Sequence, residues 1–415
     1  MPIRTQCVII GAGHSGLAMS HFLAQAGVDH VVLERGEVAN SWKNERWDSL
    51  RLLTPNWQAR LPGYSYSGDD PDGYLSVEET IRFIEGYADF ISTPVQTGAE
   101  VTSLTLGDSG YRVRTTRGDY ECPCVVVASG ACNLPNLPKF SELLPDSVES
   151  IHPLHYRNPD QLAQGGVLVV GASATGLQLA DEIHQTGRPV LLCVGEHVRL
   201  PRLYRGKDIQ WWMEKSGVLN ERYDEMDDLV RARNIPSPQL VGTPEKITLD
   251  LNSLTDKGVK LAGKLAGINQ GNAQFSGALK NNCTLADLKM NRLLKTIDEW
   301  IAEQGLDEET DPPHRFEETR VEQSPPLLIN LEKENIRTVL WATGYSPDYS
   351  WLEIPVFDRK SKIKHDGGIA EQPGLYVIGM TFLRRRKSSF IHGAEDDARD
   401  LCSHLVSYLD KKAAV

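Results

Sequence analysis

Basic residues are in deficit in this 415-residue chain: 44 Lys and Arg stand against 56 Asp and Glu, a formal net charge of −12. Binding nucleic-acid phosphates or an anionic membrane requires a cationic face, so neither is expected as a partner. The one dense basic run, at 384–387, reads as a solvated turn. Long apolar stretches are missing too. None approaches the roughly 20 residues of a bilayer span, and no charged leader precedes the first strand. Seven cysteines, an odd and scattered number, give no disulfide framework. The closest pair, Cys122 and Cys124 in ECPCVV, has one residue between its thiols where a dithiol oxidoreductase needs two, so both read as structural thiols. A soluble, cytoplasmic protein with reduced cysteines is expected. No His, Cys and carboxylate cluster has zinc spacing, so no metal is expected, and the 11 His read mostly as structural.

What is present is one device used twice. The apolar run Cys7–Ile10 leads into Gly11-Ala-Gly13-His14-Ser15-Gly16, then an amphipathic helix to Ala26, then the strand His30–Leu33 ending on Glu34. Gly11 permits a sharp turn off the strand, Gly13 a close backbone approach to a pyrophosphate, and Gly16 tight helix–strand packing. The helix N-terminus offers unsatisfied N–H groups and partial positive charge to phosphate. Glu34, 23 positions after Gly11, is placed to accept from a ribose hydroxyl.

The second copy runs from a strand at 167–170 through Gly171-Ala-Ser173-Ala-Thr175-Gly176 to a helix at 177–185 and a strand at 189–194. The same 23-residue count lands on Val194, where no acid stands to repel a 2′-phosphate. Arg199 and Arg202 follow and are candidates to fork such a phosphate, which favours NADPH, while Glu196 keeps NADH open. Two cradles imply two nucleotides held together. The first suits a resident FAD, and the second a nicotinamide cofactor that arrives, delivers hydride and leaves.

The fold class expected is α/β, with two Rossmann-like dinucleotide-binding domains, the FAD domain being discontinuous. A strand at 125–128 running into Ser129-Gly130, and another running into Ala342-Thr343-Gly344, mark chain crossings. The boundaries drawn are 1–160 for the first part of the FAD domain, 161–334 for the NAD(P)H domain with a substrate-cavity insert at about 201–326, and 335–415 for the second part of the FAD domain. After the strand ending at Gly379, a closing helix at about 388–409 aims its positive end at a flavin.

These residues resemble class B flavoprotein monooxygenases: flavin-containing monooxygenases, plant indole-3-pyruvate monooxygenases and their short bacterial relatives. The likeness rests on GAGHSGLA, VLERGEVANSWKNERWDSLRLLTP, HYRNPDQLAQGGVLVVGASATG, LWATGY and GLYVIGM. Of the family motif FxGxxxHxxx(W/Y), His152 and Tyr156 fit, while Asp146 and Val148 replace Phe and Gly. His152 reads equally as a link between domains. The resemblance implies a cytoplasmic FAD-dependent NADPH monooxygenase that oxygenates a small organic substrate with dioxygen through a C4a-(hydro)peroxyflavin. An NAD(P)H oxidase, a flavin dehydrogenase or a non-catalytic FAD sensor are the alternatives, and a homodimer is left open. It further implies that Gly11, Gly13, His14, Ser15, Gly16, Glu34, Arg35, Trp42, Val101, Gly130 and Gly379 serve the flavin. Gly171, Ser173, Thr175, Gly176, Arg199, Arg202 and Gly344 are assigned to the cofactors as well. The stretch after Trp42 is expected to pass over the isoalloxazine, with Thr54 or Asn56 as catalytic donors near the reacting oxygen.

Overall fold

Two parallel sheets organise the chain in the computed structural model, which describes residues 1–107 and 110–414. The first has seven strands. Its parallel centre runs Leu375–Val377, Cys124–Val127, Cys7–Ile10, His30–Leu33 and Val95–Gln96, with the short pairs His365–Asp366 and Ile369–Ala370 added antiparallel at one edge. All four residues of both Cys7–Ile10 and Cys124–Val127 are buried, as central parallel strands covered on both faces require. One face carries the helices His14–Gln25 and Ala394–Ala413, packed on each other. The other is covered by an antiparallel sheet of Val101–Gly107, Gly110–Thr115 and Gly118–Cys122, with Ile3–Arg4 added in parallel.

The second sheet has five parallel strands in the order Glu149–Ile151, Ile336–Trp341, Gly166–Val170, Val190–Val194, Lys260–Gly263. The expected partition shifts accordingly. Ile336–Trp341 pairs with Gly166–Val170, so the return to the first sheet comes after Trp341 rather than at 335, and Glu149–Ile151 already belongs to the second sheet. A strand's hydrogen-bond partners decide its domain, and the sequence does not print them.

The closing helix begins at Ala394, six residues later than expected, after a short turn at Ile391–Gly393. Upstream, the Ser388 hydroxyl accepts from the backbone N–H groups of Arg384 and Arg385 and holds that stretch as a turn. The basic run is also not a solvated turn. Arg384 and Arg385 pair with Asp400, Arg385 also with Asp397, Lys387 with Asp396 and Arg386 with Glu221. It therefore clamps the C-terminal helix and joins it to the 217–222 segment, where Leu219 and Glu221 accept the backbone N–H groups of Lys387 and Arg386.

All seven cysteines are free. Burial pushes the Cys122 and Cys124 thiols up to about 12, which suits a structural role. Among the described residues, no helix is long and apolar enough to cross a membrane, and no His, Cys and carboxylate group could hold a metal.

Candidate functional site

The two glycine turns are built alike. Gly11 and Gly171 both sit at φ +112°, in the left-handed region that favours glycine. A Cβ on Gly11 would lie 2.4 Å from the Ala128 carbonyl oxygen, and one on Gly171 2.3 Å from that of Ala342. Each turn is thus pressed against the end of the neighbouring strand, Cys124–Val127 in one sheet and Ile336–Trp341 in the other. Gly16 and Gly176 pack against the carbonyls of Gly11 and Gly171, so they set helix packing rather than ligand contact.

Both following helices start without a side-chain cap, at Gly13 and at Ser173. Their first-turn N–H groups therefore keep their hydrogen-bonding capacity for an anion. Around the first turn lies a cavity of ≈ 470 Å³, lined by Gly11, Gly13, His14, Ser15, Glu34, Arg35, Trp42, Val101, Gly130 and Gly379. Ten of the expected flavin contacts are thereby brought to one wall. His14 Nε2, Ser15 Oγ and Ser129 Oγ are buried there without partners, and nothing lies within 4 Å of a Cβ built on Gly13. Unsatisfied buried polar atoms are costly, so a ligand with hydrogen-bonding oxygens fits this wall. The Glu34 carboxylate accepts from the Ala12 and Gly36 N–H groups at 2.9 and 3.1 Å, which fixes it at the mouth of the turn with lone pairs to spare.

Several expected residues lie elsewhere. Arg199 is 5% exposed and gives its guanidinium to Asp250 and Asp287, both at 2.7 Å, and to the Glu317 carbonyl. Arg202, 1% exposed, binds Asp208 at 2.7 Å and the Leu53 carbonyl. Both arginines are committed to the fold and do not reach a 2′-phosphate. Lys264 stands beside the second cradle, its side chain 3.7 Å from a Cβ built on Gly195, directly after the strand Val190–Val194. Glu196 pairs there with Lys289.

Leu53, not Thr54 or Asn56, lines the nucleotide cavity. The Asn56 amide nitrogen donates to the Asp70 carbonyl, and its backbone N–H to Gly73, so the side chain is tied to the 70–73 loop. The Gly344 carbonyl accepts from His152 and from the Asn136 N–H at the chain crossing, away from that cavity wall. In the second cradle, Thr175 sits in the first turn of the Ala174–Gln185 helix.

Other wall residues were not singled out in the sequence, although Arg46 falls in the stretch after Trp42 expected over the flavin ring. Arg46 stacks over Trp42 at 5.5 Å and lines the cavity with Cys132, Asp348 and Phe390. The insert reaches both cradles within three residues. Ser237 lines the nucleotide cavity, and Gln239 donates to the Ala172 carbonyl of the second turn at 2.7 Å. Proline-broken chain at Pro236 and Pro238 gives no periodic pattern from which such placement can be read.

Residues 8–213 match the family described as pyridine nucleotide-disulphide oxidoreductase. An uncharacterized CzcO-like oxidoreductase of Geobacillus kaustophilus is 30% identical over 97% of this chain and 98% of its own. The indole-3-pyruvate monooxygenase YUCCA1 of Oryza sativa subsp. japonica is 30% identical, covering 90% of this chain and 86% of its own. Among solved structures, a flavin-containing monooxygenase from Stenotrophomonas maltophilia has the same fold, with a TM-score of 0.68 at 17% identity over 98% of this chain and 99% of that one. OTEMO in complex with FAD and NADP aligns with a TM-score of 0.57 at 14% identity, over 99% of this chain and 87% of that one.

Proposed function

The chain belongs to the family of flavin-monooxygenase-like oxidoreductases, and from that premise we propose that it is an FAD-dependent monooxygenase that takes electrons from NAD(P)H and oxygenates a small organic molecule. The observation that carries this reading is the duplication itself. Two glycine turns with the same φ press on two neighbouring strands, and one insert touches both. FAD, when bound, supplies the relay that passes a hydride's electrons to dioxygen.

The residues around it have separable duties. The uncapped N-terminus of His14–Gln25, with Ser15 and His14, holds a pyrophosphate, and Glu34 accepts from a ribose hydroxyl. Trp42, Phe390 and Val101 present apolar surface that excludes water from the reacting end. Gly171, Ser173 and Thr175 at the second helix N-terminus receive the nicotinamide dinucleotide. The Gln239 side chain braces that turn from the insert.

The test is made on purified, FAD-loaded protein. NADPH and NADH are added without oxygen and flavin bleaching is followed; oxygen uptake and hydrogen peroxide release are then measured with candidate substrates. Bleaching, with peroxide release suppressed by a substrate that gains one oxygen atom, supports the proposal. Equal peroxide with and without every substrate would make the protein an NAD(P)H oxidase. Flavin that stays oxidised under NAD(P)H would leave it a binding protein.

A further inference from the structure

The strap 236–242 of the insert runs from one cradle to the other. Ser237 lines the nucleotide cavity, and two residues on, the Gln239 side chain reaches the second glycine turn. Two residues of fully extended chain span at most about 7 Å, so the two contacts are close neighbours. The strap is held from both sides. Pro238 bridges to Val198 in parallel, and the Val198 carbonyl accepts the Gln239 N–H at 2.7 Å, just past the strand Val190–Val194. On the other side, a Cβ added at Gly242 would lie 2.2 Å from the Leu52 carbonyl oxygen, next to Leu53 of the cavity wall. Leu240 and Val241, between these anchors, are buried.

These anchors fix the Gln239 amide. A carbonyl oxygen only accepts, so the amide turns its NH2 to Ala172, at 2.7 Å, and its Oε1 away. The residue is 1% exposed, and Oε1 has no hydrogen-bond partner. A buried acceptor left unpaired is costly, so this atom calls for a donor. Phosphate oxygens only accept, and their place is at the uncapped first-turn N–H groups of Ala174–Gln185. On the flavin side of the pyrophosphate, a pyridine dinucleotide carries donors in its ribose hydroxyls and in its carboxamide NH2. A hydroxyl hydrogen rotates to suit many acceptors. The carboxamide is planar, with donor and acceptor fixed like those of Gln239, so a fixed acceptor beside it sets how the ring is turned.

We infer that Gln239 Oε1 accepts an N–H of the nicotinamide carboxamide and so orients the ring where the dinucleotide passes from the second turn to the flavin cavity. One amide then has two duties: its NH2 braces the turn that receives the pyrophosphate, and its oxygen holds the end that gives up hydride. The inference rests on the reading that the second cradle receives NAD(P)H.

Calorimetric titration of the full-length, FAD-loaded protein tests it, with NADP+ and NAD+ each set against its 3-acetylpyridine analogue, in which a methyl group replaces the carboxamide NH2. The parent that binds is expected to bind about tenfold more tightly than its analogue, which leaves Oε1 unpaired. In Gln239→Met, of similar length and without a hydrogen-bonding amide, that ratio should fall to about twofold or less. Loss of the brace on Ala172 alone would weaken parent and analogue alike and keep the wild-type ratio, so the ratio separates contact from brace. The wild-type comparison decides by itself where the variant fails to fold. Equal affinity of parent and analogue in the wild type, or an unchanged ratio in the variant, would overturn the assignment and leave the reductant reading standing. If neither parent binds while FAD is held, both fall together.

Discussion

His152 Nε2 lies 3.0 Å from the Gly344 carbonyl oxygen, while its Nδ1 accepts the Leu154 N–H at 3.2 Å. An accepting Nδ1 puts the proton on Nε2, so the neutral ring donates to Gly344 and joins the strand ending at Ile151 to the crossing after Trp341. The ring also meets Tyr345 edge-on at 5.1 Å. Burial lowers its pKa, in keeping with a neutral link rather than a catalytic acid. His152→Ala should cost about 1–3 kcal/mol, because the Leu154 N–H is orphaned as well as the bond lost. Urea denaturation of wild type and variant at pH 8 measures it; identical midpoints would show the bond contributes nothing.

Arg199 sits between Asp250 and Asp287, and removing it leaves two buried carboxylates without their cation. Arg199→Ala should lose about 3–5 kcal/mol of stability, with no selective loss of NADPH over NADH. Lys264→Ala should behave in the opposite manner, leaving stability within about 0.5 kcal/mol and raising KM for NADPH severalfold more than for NADH. The melting temperatures and the two KM ratios decide. A selective NADPH defect in the Arg199 variant would restore the original assignment of its guanidinium.

The cradles are predicted to fail separately. A Cβ at position 11 collides with the Ala128 carbonyl and one at 171 with that of Ala342, in backbone that L side chains resist. Gly11→Ala should yield protein that binds no FAD. Gly171→Ala should yield yellow protein with at least 100-fold slower anaerobic reduction by NADPH. Visible absorbance and stopped-flow bleaching read both. Normal reduction in the Gly171 variant would mean that the second turn does not receive the reductant.

The elements on either side of each glycine turn were legible because a buried parallel strand, a tight turn and an amphipathic helix each impose a local pattern. Cys7–Ile10, His30–Leu33 and the Ala174–Gln185 helix show it. Strand partnership was not, since Ile336–Trp341 looks the same whichever sheet it joins. Nor was the fate of a charge. Arg199 and Arg202 follow the second cradle as phosphate-binding arginines would, but their partners lie up to 149 residues away, at Leu53. Ser237 and Gln239 reach the cradles through irregular chain, where side-chain direction has no period. The 23-residue count ends on Val194, next to Gly195 and Lys264, while the two arginines it pointed to are committed to buried carboxylates.

Acid should destabilise the protein through its neutral histidines. Burial holds His365 at about 4 and sets His392 well below the ordinary 6.5. A histidine with a lowered folded pKa is protonated in the unfolded chain first, so stability is full above about pH 6.5 and falls as pH drops toward the folded value. Asp397 acts in the opposite sense. Burial raises its carboxyl to about 6, so it contributes stability below its ordinary value that is lost as pH rises through 6. Burial also holds His14 at about 4 and lowers His152, so the histidines outweigh Asp397 and stability should decline from pH 6.5 to 4.5. His392→Gln should flatten that slope by up to about 1.4 kcal/mol per pH unit, the value of one proton. Urea midpoints at half-unit intervals provide the measurement. An unchanged slope in the variant would mean that His392 is already charged in the folded protein, with Glu214 as its partner.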